Sequence, residues 1–147
     1  MKKFSFNLEK VLRLREYNEQ ETRLELGRAV SALSEIENNI TLVAAERFRS
    51  AALQFESTNT AKEIYQYSLY LSRLDSMKEK LIKEAAAAEL KVEEARSIYI
   101  EASRERKVLD KLKEKKEAEY KRNFYKEETK TLDDVASGAL ARRAAVQ

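Results

Sequence analysis

The sequence has no cysteine, no histidine, no proline and no tryptophan, and only two glycines, Gly27 and Gly138. Each absence removes a class of answer. Without cysteine there is no disulfide and no thiolate metal site. Without histidine the commonest general base and the commonest metal ligand are gone. Without proline, and nearly without glycine, the chain lacks the turn chemistry that a compact domain of many elements needs. No Gly-rich loop is available to cradle a phosphate. No stretch approaches the roughly 20 consecutive apolar residues of a membrane-spanning helix. Met1-Lys2-Lys3 is followed by Ser5, Asn7, Glu9 and Lys10 and not by the apolar core of a signal peptide. These features read as a soluble cytoplasmic protein, attached to a membrane only peripherally if at all.

What remains is 147 residues, 37% of them charged, rich in Ala, Glu, Lys, Leu and Arg. That composition points to long helices whose burial comes from a narrow seam. Net charge is +3, too small an excess to mark a nucleic-acid binder by itself.

The hydrophobic pattern is a heptad. Leu26, Ala29, Leu33, Ile36, Ile40 and Val43 alternate steps of three and four, which keeps one stripe facing one partner helix. Between Arg15 and Arg23 the stripe weakens into charge. A second run places Leu74, Leu81, Ala88, Ala95, Ala102 and Leu109 seven apart, with Ala85, Val92 and Tyr99 beside them. Alanine at so many seam positions permits close approach of the helices and buries little area per turn, which predicts modest stability and a flexible rod.

One break stands out, at Glu56-Ser57-Thr58-Asn59-Thr60. Asn59 tolerates the left-handed conformation that ends helices. Thr60-Ala61-Lys62-Glu63 then reads as a capping box. A short connection between long helices makes them antiparallel neighbours. The predicted fold is therefore all-α: an antiparallel two-helix coiled coil, or long helical hairpin, forming a single domain over 1–147. Helix one spans about 4–56, the turn about 57–60, and helix two about 61–136. With the turn centred near Thr58, Phe4 falls opposite the neighbourhood of Lys113. The C-terminal part of helix two then overhangs, carrying Tyr120, Phe124, Tyr125, Leu132 and Val135. Thr131-Leu132-Asp133-Asp134 is a candidate interruption, Gly138 a candidate end, and 139–147 a frayed tail.

Catalysis has no residues to work with, and the many carboxylates read as solvated helix faces and not as metal ligands. The basic run from Arg104 to Arg122 is interleaved with Glu105, Asp110, Glu114, Glu117 and Glu119, the usual pattern of exposed helix. More apolar residues crowd the start of helix two than one seam can use. Tyr67, Leu71, Leu74 and Leu81 can fill the seam. Tyr70 and Met77, with Leu74 and Leu81 in part, lie beside it. This is either a broader local core, with Phe48 and Phe55 packing across, or an exposed patch that marks a protein interface.

The opening Phe4-Ser5-Phe6-Asn7-Leu8-Glu9-Lys10-Val11-Leu12-Arg13-Leu14-Arg15-Glu16 resembles the start of the flagellar export protein FliJ. So do the tyrosine-rich opening of helix two, the run Glu105 to Lys113 and the stretch Lys130 to Ala136. The resemblance covers essentially the whole chain. It implies a non-catalytic stalk without cofactor, similar to the central stalk of rotary ATPases. Such a stalk enters the hexameric flagellar export ATPase FliI, promotes its assembly, couples it to the export gate FlhA and escorts export chaperones. It places gate binding on Tyr70, Leu74, Met77 and Leu81 with Phe48 beside them, and the ring-facing end at Phe4, Leu8, Arg15 and Arg122. It implies a cytoplasmic protein peripheral to the inner membrane at the flagellar base, a monomer with a bundle of chains as the alternative. Rival readings are an injectisome stalk, an unrelated cytoplasmic coiled-coil scaffold and, less favoured, a nucleic-acid-binding rod.

Overall fold

The computed structural model describes residues 3–56 and 60–147, with the Phe55 side chain outside the described set. Two helices account for nearly all of it: α1 (Glu9–Glu56) and α2 (Ala61–Val146). No strand occurs among the described residues, and the fold class is all-α, as the heptads require. Contacts group the chain into two compact units. One comprises residues 1–17 and 103–147, the other residues 18–102.

Within the 18–102 unit the helices run antiparallel. Arg47 meets Asp75, whereas Thr22 and Ala29 share a groove with Ala95 and Ile98. From α1, Leu26, Ala29, Leu33, Ile36, Ile40 and Val43 are all drawn from solvent, as the three-four spacing predicts. The same spacing continues through Arg47, Ser50 and Gln54, which sequence alone did not mark as seam. From α2, Tyr67, Leu71, Leu74, Lys78, Leu81, Ala85, Ala88, Val92, Ala95, Tyr99 and Ala102 complete the other wall. Leu74, Ala88, Val92 and Ala102 are the most buried apolar residues there, and no large side chain among the described residues is fully enclosed. That is the thin seam expected of facing alanines.

Within the 1–17 and 103–147 unit the helices are again antiparallel. Residues 4, 9 and 15 contact 120, 113 and 105 in turn. Leu12 is the buried centre, at 3% exposure. Here α1 starts at Glu9 and not at Phe4. The reason lies in the alternation of Phe4 and Phe6, half-buried, with Lys3, Ser5 and Asn7, exposed. A period of two suits extended chain and not helix. Extended chain advances about 3.3 Å per residue against 1.5 Å in a helix. Phe4 consequently reaches past Lys113 to Tyr120, and Glu9 takes the place opposite Lys113.

Helix α2 also differs from expectation at its far end, running to Val146 without interruption at 131–134. The Thr129 and Thr131 hydroxyls donate to the carbonyls of Tyr125 and Glu127, each at 2.8 Å, so neither competes with the helical ladder. Gly138 keeps a negative φ and accepts from Arg142 Nε at 3.2 Å, and it ends nothing. At the start of α2 the Thr60 N–H donates to the Glu63 carboxylate at 3.2 Å, which is one half of the capping box. In place of the other half, the Glu63 N–H donates to the Thr60 carbonyl at 3.0 Å. The expected turn at Ser57, Thr58 and Asn59 lies outside the described residues, as does the Phe55 packing.

Candidate functional site

The 18–102 unit carries the first candidate surface, along the beginning of α2. Leu74 and Leu81 sit on the seam, Leu74 at 6% exposure. Tyr70 and Met77, seven residues apart, flank that seam at 39% and 48% exposure. The crowding therefore resolves into a seam plus an exposed apolar flank. Ile64, Tyr65, Leu69 and Ile82 are exposed as well.

Polar contacts fix both sides of the seam near this surface. The Tyr70 hydroxyl donates to Glu46 at 3.1 Å, and the same carboxylate accepts from Arg49 and Ser50. That hydrogen bond favours the neutral phenol and, with desolvation, raises the Tyr70 pKa above its usual value. On the other side Arg47 grips Asp75, holding the Asp75 carboxyl below the usual range through the hydrogen bond and its charge. Glu46 and Arg47 thus mark opposite flanks. One residue beyond Arg47 in the heptad, Phe48 points to the Asp75 flank, at 78% exposure. The register separates Phe48 from Tyr70 and Met77, which the sequence reading had put together. Glu46 was not among the candidates. Its partner is 24 positions away, and no local pattern announces it.

The 1–17 and 103–147 unit carries the second surface. Lys3 to Phe6 form an irregular strap that turns into α1 through Asn7 and Leu8, and an open groove of about 640 Å3 is lined by Lys3 to Leu8 together with Leu112, Lys116, Glu119, Tyr120 and Asn123. Phe4 and Tyr120 lie with ring centroids 5.6 Å apart, Tyr120 and Phe124 at 6.4 Å, and Phe124 meets Tyr125 edge-on at 6.0 Å. An aromatic pair of this kind contributes about 0.5–1.5 kcal/mol beyond its buried area. Arg15 pairs with Glu105, and Lys113 with Glu9 at 2.9 Å. Of the ring-facing candidates, Phe4 and Leu8 line the groove, Arg15 is engaged across the seam, and Arg122 is exposed on α2.

Charge on this part of α2 is organised by pairing. Asp110 holds Arg106, Glu117 holds Lys121 at 2.9 Å, and Glu119 holds Lys116 at 3.1 Å. The hydrogen bond from Lys116 lowers the Glu119 pKa, and that to Glu117 raises the Lys121 pKa. Among the described residues, Lys107, Lys111, Lys115 and Arg122 make no ion pair, so the outward face is left basic. Interleaved acids had concealed this in the sequence.

Among the described residues no group of acidic side chains is arranged to hold a metal, and no helix is long and apolar enough to cross a membrane. Two exposed surfaces on paired helices suit contact with other macromolecules. Against that geometry, the family model described as flagellar FliJ protein matches residues 4–145. The chain belongs to the flagellar FliJ family.

As a FliJ family member it is a component of flagellar protein export. The match includes the strap from Phe4 onward and the flank at Tyr70 and Met77. No curated protein and no solved structure matches the chain significantly.

Proposed function

We propose that this FliJ protein is a non-catalytic stalk of the flagellar export ATPase complex. Its strap-bearing end, with Phe4, Leu8, Arg15 and Arg122, enters the hexameric ATPase FliI and promotes ring assembly. The exposed flank of α2 at Tyr70 and Met77 binds the export gate FlhA, with Leu81 at its edge. Leu74 shapes that flank from within the seam, and Phe48 serves a separate contact. The chain escorts export chaperones and works at the cytoplasmic face of the inner membrane, without cofactor or nucleic acid.

The observation that carries this reading is the family match over residues 4–145. Two separate exposed surfaces, one in each compact unit, are compatible with two partners. The test mixes purified chain with the cognate export ATPase and follows ATP hydrolysis and hexamer formation. Stimulation of both is expected. A chain that neither binds the ATPase nor changes its turnover removes the stalk assignment.

A further inference from the structure

Beyond Phe124 the end of α2 is bare. Residues 125–147 are exposed throughout, with only Gly138 half-buried beneath the Arg142 side chain. This stretch nevertheless carries an apolar stripe. At 3.6 residues per turn Tyr125, Leu132, Val135, Ala136, Ala139 and Val146 fall on one face. Tyr125, Leu132, Val135 and Val146 are between 60% and 89% exposed. Most helical stability in proteins comes from covering such a stripe. Two charged residues share the face, Glu128 near its start and Arg143 near its end, and neither makes an ion pair among the described residues. Lys126, Glu127, Lys130, Asp133 and Asp134 lie off it.

We infer that this stripe is an interface between two copies of the chain, joined antiparallel about a two-fold axis that passes between Val135 and Ala136. The stripe is complementary to its own reverse. In that register Glu128 meets Arg143, Tyr125 meets Val146, Leu132 meets Ala139 and Val135 meets Ala136, and the two-fold axis makes each pair occur twice. In the central layers a larger side chain faces alanine, which lets the helices close up. Charge decides the occupant. A partner of one sign would satisfy Glu128 or Arg143 and oppose the other, whereas a reversed copy satisfies both, with Arg142 on the flank of Glu128. Parallel pairing would set Glu128 against Glu128 and Arg143 against Arg143. Residues 125–146 extend about 33 Å at 1.5 Å per residue. With a centre this small the pair lies near the low end of stable interfaces, roughly 1,200 Å2, and dissociates readily. The inference is independent of the stalk reading.

The experiment is sedimentation of the full chain over a concentration series up to about 1 mM, the range of weak association. Wild type passes reversibly from monomer to dimer. Glu128→Arg and Arg143→Glu each lower the association constant about tenfold or more, because each replaces two attractions by two repulsions. Both positions are exposed, so both variants fold. An equimolar mixture of the two variants recovers the dimer, since the exchanged charges are again opposite across the axis. A nitroxide on Gln147→Cys, in a chain otherwise without cysteine, lies about 34 Å from its twin in the dimer. A chain that stays monomeric throughout overturns the inference. So does a dimer indifferent to both substitutions, which pairs through another surface, and so does a mixture that associates no better than its parts. Nitroxides side by side overturn the antiparallel register. A monomeric chain whose two variants both lose binding to the export ATPase gives the stripe to that partner instead.

Discussion

Arg47 holds Asp75 with two nitrogens, Nε at 2.6 Å from one carboxylate oxygen and Nη2 at 3.4 Å from the other. Arg47 occupies a seam position where an apolar residue would bury more area. A charged seam residue with a partner on one flank fixes which helix face turns inward and at what register. Glu46 and Tyr70 perform the matching role on the opposite flank.

This pair predicts a pH dependence of stability. The Asp75 carboxyl lies below its ordinary value of 3.8 in the folded chain, first through the Arg47 hydrogen bond. Its contribution is fully present above the unfolded-state value and is lost as pH falls through the lower folded-state value. Wild type should melt above Asp75→Asn at pH 6, and the gap should shrink as the pH is taken below about 3.8. Added salt should narrow the gap at pH 6, because both partners are partly exposed. Thermal melts across pH and salt decide it, and a gap constant from pH 6 to pH 3 contradicts the assignment.

Burial should separate the apolar candidates. Leu12→Ala removes a side chain 3% exposed and should cost about 2–3 kcal/mol, towards the lower end of Leu→Ala losses because the seam is thin. Phe48→Ala removes one 78% exposed and should change stability by less than about 0.5 kcal/mol. Urea titrations of both variants measure the difference, and equal losses would overturn the seam register.

Gly27 lies inside α1 with a negative φ, and a Cβ added there meets nothing within 4 Å. Gly27→Ala should therefore raise stability by about 0.5–1 kcal/mol, since alanine restricts the unfolded chain and favours helix. A rise in melting temperature is the expected reading, and a fall would mean that this face is already in contact.

Met77 and Leu74 should respond differently to the same substitution. Met77→Asp changes an exposed flank and should lower affinity for the export gate with the melting temperature nearly unchanged. Leu74→Asp puts a charge at a buried seam position and should unfold the region, which removes binding for a trivial reason. Gate binding by pull-down or calorimetry, read beside the melting curves, separates them. Full gate affinity in folded Met77→Asp sinks the assignment of this flank.

Much of the fold was legible beforehand because a coiled coil writes its contacts as a spacing. The steps of three and four from Leu26 to Val43, and of seven from Leu74 to Leu109, name residues that the structure draws into the seam. Where the seam is polar the pattern was silent. Arg47, Ser50 and Lys78 look like surface residues until a partner helix arrives. The start of α1 was misplaced because Phe4, Leu8 and Leu12 also fit a helical period. The competing period of two at Phe4 and Phe6 wins once Tyr120 is there to receive the ring. The end of α2 was misplaced because Thr131, Asp133, Asp134 and Gly138 are weak helix formers singly. The long run of helix formers on either side overrides them, and the Thr131 hydroxyl is occupied on its own helix.

The sequence by itself determined the class of molecule. The absence of proline, the scarcity of glycine and the heptad repeat leave little besides long paired helices, because local propensity and periodicity are properties of the chain alone. Only the tertiary structure decided which side chains share a flank. That choice put Tyr70 with Glu46, Arg47 with Asp75, Phe48 on the far side, and Phe4 on Tyr120. Such pairs lie tens of residues apart in sequence, and their meeting depends on the register between helices, which the closing of the seam sets and no local pattern states.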